Sequence, residues 1–139
     1  MSEGAPLLLD TSAAVALVVA DHVSHDDTVR AAGNYRLGLA GHAWFETFSV
    51  LTRLPPPARR APRDVLRLLS ADFPATRFLT PGATERLVDA LADLGMAGGQ
   101  VYDALIGAVC VEHDAPLLSR DRRAVEVYGA LGVRCELLG

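Results

Sequence analysis

An α/β fold, with a mostly parallel sheet covered by helices on both faces, follows from three observations. Short, largely apolar runs recur at residues 7–9, 36–40, 76–80, 116–119 and 133–138, each the length of a strand. The stretches between them carry helix-start signals and helical spacing of apolar residues. Strands separated by helices pair in parallel, and parallel strands are apolar because both of their faces are covered.

Leu7, Leu8 and Leu9 read as a buried strand, Asp10, Thr11 and Ser12 as a capped turn, and residues 13–20 as the first helix. Ser24, with Asp27 three residues on, resembles a capping box for a second helix that closes near Gly33. Residues 36–40 supply the next strand. A third helix, residues 42–54, stops at Pro55, Pro56 and Pro57, which cannot continue the helical hydrogen-bond ladder. Proline suits a first helical turn, so Pro62 marks the start of a fourth helix. Residues 76–80 are the third strand, ended by Pro81 and Gly82. Residues 83–94 form a helix whose core face is Leu87, Val88, Leu91 and Leu94. The glycine-rich residues 95–99 break the chain before an apolar helix that carries Asp103. Residues 116–119 are the fourth strand, 122–131 the last helix and 133–138 the closing strand.

A chain of 139 residues suffices for one domain with a single core. Half of its residues are hydrophobic, yet no apolar run approaches the ~20 residues that span a bilayer, so a soluble, cytoplasmic protein without membrane contact is expected. Cys110 and Cys135 make neither a disulfide framework nor a zinc motif and read as two buried thiols. A net charge of −4 excludes nucleic-acid binding by a bulk positive field. The basic residues are nevertheless all arginine, grouped at Arg53, Arg59, Arg60, Arg63 and Arg67 and again at Arg120, Arg122 and Arg123. Arginine grips phosphate with a bidentate fork, which makes Arg59, Arg60, Arg120 and Arg122 candidate RNA contacts; a solvated helix face is the plainer alternative.

Four acids fall one per segment: Asp10, Glu46, Asp103 and Asp121. Asp103 lies in a helix apolar on nearly every face, where an ionised carboxylate needs a cation, a set of donors or a metal. The chain has no lysine, so arginine or a divalent ion must balance it. Asp10 and Asp121 follow strand ends and share the edge where ligands of parallel sheets bind, although each is also a natural helix cap. Glu46, among Trp44, Phe45, Phe48, Val50 and Leu51, has an outward-facing position as its alternative. Oxygen ligands from several segments converging on one edge suit Mg²⁺ or Mn²⁺. The four histidines show no metal-binding spacing, and the glycines at 95–99 match no phosphate-loop fingerprint.

Four motifs stand in order along the chain: Leu8-Leu9-Asp10-Thr11-Ser12-Ala13, then His42-Ala43-Trp44-Phe45-Glu46-Thr47, then Gly98-Gly99-Gln100-Val101-Tyr102-Asp103-Ala104-Leu105-Ile106, and last Leu117-Leu118-Ser119-Arg120-Asp121-Arg122. Together they resemble the PIN-domain ribonucleases, and specifically the small VapC-type toxins of bacterial toxin-antitoxin pairs. The resemblance implies one PIN domain over residues 1–139, a three-layer α/β/α sandwich with a mostly parallel five-stranded sheet. It implies a Mg²⁺- or Mn²⁺-dependent endoribonuclease, the toxin of a type II pair, with a cognate antitoxin, an RNA substrate and a homodimeric state. Carried over by position, Asp10, Glu46, Asp103 and Asp121 match the family's catalytic, metal-binding quartet, with Thr11 and Ser119 as hydroxyl neighbours. The proline-rich stretch after Leu54 departs from the family's pattern at the substrate entrance.

The chemistry suits these residue types. Divalent ions held by carboxylates lower the pKa of water, orient it towards phosphorus and neutralise charge on the leaving oxygen. Asp10 and Asp103 are the expected primary ligands. Asp121 and Glu46 complete the shell, and one of them can act as general base. Water rather than the RNA 2′-hydroxyl attacks, so products should carry 5′-phosphate and 3′-hydroxyl ends. An aspartate-nucleophile phosphatase is excluded because Ser12 stands where that class has a second aspartate, and the required lysine is missing. The alternative from another class is a PIN-like module that binds RNA or a protein partner without cutting.

Overall fold

In the computed structural model, which describes residues 4–139, short strands alternate with helices. β1 (Pro6–Leu9) leads into α1 (Thr11–Val18) and α2 (His25–Ala32). β2 (Arg36–Leu39) is followed by α3 (His42–Thr52), α4 (Pro62–Asp72), α5 (Pro81–Leu94) and α6 (Gln100–Glu112). β3 (Leu117–Ser119) precedes a 3₁₀ turn (Arg122–Ala124), α7 (Val125–Leu131) and β4 (Cys135–Leu137). Every strand pair is parallel, in the order β2-β1-β3-β4. Leu8, Leu9, Leu117 and Leu118 of the two central strands are wholly buried, as strands covered on both faces require.

The sheet has four strands rather than the five expected. Residues 75–77 do run beside β2: the Ala75 N–H donates to the Leu37 carbonyl at 2.8 Å and the Arg77 N–H to that of Leu39 at 3.3 Å. The pairing is interrupted by Thr76, whose hydroxyl accepts from the Leu39 N–H at 2.9 Å and donates to the Phe73 carbonyl at 2.8 Å. A single parallel bridge between Ala40 and Arg77 is what remains of the expected strand. A threonine side chain that bonds the local backbone thus replaces a ladder bond. The close approach depends on Gly38, where a Cβ would lie 2.2 Å from the Ala75 carbonyl carbon.

Two smaller expectations also change. Ser24 stands before α2, but its side chain makes no cap hydrogen bond; its hydroxyl accepts from the Arg120 guanidinium instead. On α5, Leu87 and Leu91 are buried while Val88 and Leu94 are exposed, because this outer helix packs chiefly on α6 and buries only a narrow stripe. The α6 helix is the deeper one, burying Ala104, Ile106, Gly107, Val109 and Cys110. At Gly107 an added Cβ would come within 3.1–3.2 Å of Val133, Leu131 and Tyr128, so this glycine lets α7 press close to α6. Burial pushes the Cys110 thiol up to about 12 and the half-buried Cys135 thiol up to about 11, which leaves both as inert thiols.

Candidate active site

β1 and β3 end side by side, and the residues at and just beyond their ends build the first corner of the site. Asp10 is 3% exposed and its N–H donates to the Leu118 carbonyl at 3.2 Å. Its carboxylate accepts from four donors: Ser12 Oγ at 2.6 Å and Ala13 N–H at 3.1 Å on Oδ1, Ser119 Oγ at 2.5 Å and Tyr128 Oη at 2.9 Å on Oδ2. The Ala13 contact is the helix cap anticipated for Asp10, so capping and site-building are carried by one side chain. Both serine hydroxyls are themselves oriented. Ser12 Oγ accepts from the Arg120 N–H at 2.9 Å, and Ser119 Oγ from the Asp121 N–H at 3.0 Å. Burial, and then the Asp10 carboxylate, pushes the Tyr128 phenol far above its ordinary pKa, so the hydroxyl keeps the proton it donates.

The other three acids arrive from α3, α6 and the turn after β3. Glu46 Oε1 accepts from Thr11 Oγ1 at 2.8 Å, and its Oε2 lies 3.7 Å from His42 Nε2. Asp121 Oδ1 caps the 3₁₀ turn by accepting from the Arg123 N–H at 3.0 Å. The Arg123 guanidinium donates to Asp121 Oδ2 at 2.9 Å and stands 3.5 Å from Asp103 Oδ2. The Asp103 side chain is 14% exposed. Burial raises its pKa, Arg123 opposes that rise, and Asp121, Glu46 and Asp10 each add to it. All four acids therefore act on one electrostatic neighbourhood.

They also line one cleft of about 360 Å³, together with Thr11, Ser12, Ser49, Val50, Arg53, Ile106, Arg123 and Tyr128. Carboxylates and hydroxyls are the hard oxygen donors that Mg²⁺ and Mn²⁺ prefer, so the donor set fits such an ion. Among the described residues, no three acids, histidines or cysteines are drawn together tightly enough to make a ready cage. Each acid instead has its own partner: four donors hold Asp10, Thr11 holds Glu46, and Arg123 pairs with Asp103 and Asp121.

A family model described as PIN domain matches residues 7–130. The chain belongs to the PIN domain family. It is 44% identical over 128 residues to ribonuclease VapC27 of Mycobacterium tuberculosis, a match covering 92% of this chain and 93% of the relative. It is 45% identical over 131 residues to ribonuclease VapC40 of the same species, covering 93% and 96%. Among solved structures, VapBC2 of Rickettsia felis bound to a promoter DNA fragment matches with a TM-score of 0.68 at 13% identity, covering 96% of this chain and 99% of that one. That likeness bears on the fold alone.

None of the four arginines expected at the substrate lines the cleft of this PIN domain. Arg59 donates to the Leu54 carbonyl and Arg60 to that of Val18, while Arg120 ties Ser24 to the Gly139 carbonyl. Arg122 is exposed at the start of the 3₁₀ turn. The cleft arginines are Arg53 and Arg123 instead. Tyr128 is the residue that sequence reasoning passed over. Its signal was available, since a tyrosine on a helix face that otherwise buries apolar residues must find a hydrogen-bond partner.

Proposed function

We propose that this PIN domain is a divalent-metal-dependent endoribonuclease and the toxin of a toxin-antitoxin pair, folded as one domain over residues 1–139 and acting in the cytoplasm. The observation that carries the reading is the convergence of four carboxylates from four separate segments on one cleft. Two ribonucleases with more than two-fifths identity over nearly the whole chain support it. Asp10 and Asp103 are the residues that would hold Mg²⁺ or Mn²⁺ first, with Asp121 and Glu46 beside them.

The ion, when bound, supplies an acidified water and offsets negative charge at the scissile phosphate. The protein's own residues do the rest. Ser12, Ser119 and Tyr128 fix the Asp10 carboxylate in one orientation at the strand ends, and one of its four donors would give way when the carboxylate meets an ion. Glu46, oriented by Thr11 and open to the cleft, is placed to take a proton from the attacking water. Arg53, exposed on the cleft wall, offers a fork to the RNA backbone. The exposed side chains of Phe45 and Phe78, whose ring centroids are 6.3 Å apart, supply apolar surface for an antitoxin or a second copy of the chain.

The test is to incubate purified protein with structured RNA and Mn²⁺, alongside EDTA and Asp103→Asn controls, and to map the cut ends. Cleavage is expected in the uninhibited wild type alone, leaving 5′-phosphate and 3′-hydroxyl ends. Cyclic-phosphate ends that survive EDTA overturn the mechanism. Intact RNA together with no Mn²⁺ binding replaces the enzyme reading with that of a binding module.

A further inference from the structure

The Arg123 guanidinium lies against two of the four acids, 2.9 Å from Asp121 Oδ2 and 3.5 Å from Asp103 Oδ2. Its side chain is 72% exposed, so no core packing holds it there. Its backbone is another matter, because the Arg123 N–H donates to Asp121 Oδ1 at 3.0 Å as part of the turn cap. The root of the side chain is fixed while its end is free to leave.

We propose that Arg123 is a tethered counter-ion, which neutralises Asp103 and Asp121 in the metal-free protein and competes with the divalent ion for them. The inference rests on the proposed metal site. Asp10 already accepts four hydrogen bonds from buried or half-buried partners and cannot rearrange without stranding them. Glu46 Oε1 is held by Thr11 through a neutral hydroxyl, and His42 Nε2 stands 3.7 Å from Oε2, beyond hydrogen-bond distance. Asp103 and Asp121 are the pair whose charge is balanced by a movable group. The guanidinium end of both pairs is solvated, which limits what each contributes, so the guanidinium can be displaced, but displacing it subtracts from the ion's affinity. Arg53, the other cleft arginine, makes no ion pair with any of the four acids among the described residues and cannot substitute.

The measurement is Mn²⁺ affinity by calorimetry for the wild type, Arg123→Met and Arg123→Lys, with thermal melts of each protein with and without Mn²⁺. Arg123→Met should bind Mn²⁺ about three- to tenfold more tightly, the range set by losing one or two weak competing ion pairs. Its metal-free melting point should fall slightly, and the rise on adding Mn²⁺ should exceed that of the wild type. Arg123→Lys, which keeps the charge without the fork, should fall between the two. If Arg123→Met binds Mn²⁺ no more tightly than a wild type that does bind it, the counter-ion role is overturned and the metal site stands. If neither wild type nor variants bind Mn²⁺, the metal site itself is wrong and the counter-ion role falls with it.

Discussion

Asp10 and Asp103 belong to the same cleft and carry the same charge, yet their surroundings differ in kind. Asp10 accepts four hydrogen bonds from donors that are mostly oriented by further bonds, and it is 3% exposed. Asp103 has one partner among the described residues, an exposed guanidinium at 3.5 Å, and three neighbouring acids. The first is a carboxylate held by hydrogen bonds on both oxygens; the second is one whose ionisation burial opposes. A cleft built this way has a rigid corner that defines position and an adjustable side that can respond to a cation. In the proposed metal site, pairing the two would let ion affinity be tuned at Asp103 and Asp121 without loosening the corner at the strand ends.

The contrast can be broken most forcefully at Asp10. Asp10→Ala strands two serine hydroxyls, the Tyr128 phenol and a helix-cap N–H, and should cost about 3–5 kcal/mol of folding stability, read as a urea midpoint shift. Tyr128→Phe keeps the buried ring and removes one donor, so the expected cost is about 1–2 kcal/mol, with Mn²⁺ affinity lowered about tenfold in calorimetry. A stability loss without any change in Mn²⁺ affinity would assign Tyr128 to packing alone.

Asp103→Asn should behave in the opposite sense. The folded pKa of Asp103 is raised, so its ionised form weakens folding at neutral pH; protonation removes that penalty as pH falls through the raised value, and the difference is gone below the ordinary carboxyl value. The variant should therefore be slightly more stable than wild type at pH 7 and match it in acid, while RNA cleavage drops on the order of a hundredfold or more. Equal or lower stability at pH 7 would contradict the contrast with Asp10. The smallest stability effect belongs to Glu46→Gln. Its amide oxygen can still accept from Thr11, so folding should change by less than about 0.5 kcal/mol, and the check is whether cleavage nevertheless falls about tenfold or more.

Much of this arrangement was legible in residue order. Helix limits at Pro62 and the strands around Leu8 and Leu118 needed only proline chemistry and apolar runs, because those signals are local. The candidate acids could be nominated because carboxylates in apolar stretches demand partners. What could not be read was which partners they take. Tyr128 reaches Asp10 across 118 residues of chain, and only because Gly107 lets α7 close on α6. The arginine-rich stretch after Leu54 looked like a phosphate-binding face, yet Arg59 and Arg60 bond backbone carbonyls, a use that charge patterning cannot distinguish from a free one. Residues 76–80 satisfied strand propensity, and the side chain of Thr76 interrupts the pairing for a reason invisible at the level of propensity.

That interrupted edge has a consequence for how this protein behaves in a crowd. β2 is the outer strand of its sheet, and an outer strand with free N–H and carbonyl groups is a template on which another chain can add itself. Here the carbonyls of Leu37 and Leu39 and the N–H of Leu39 are already taken by residues 75–77 of the same chain. The cover lies close only because residue 38 has no side chain, since a Cβ there would stand 2.2 Å from the Ala75 backbone. A methyl group at that position would lift the cover and leave the strand open to strand-by-strand aggregation, at a place remote from the carboxylates.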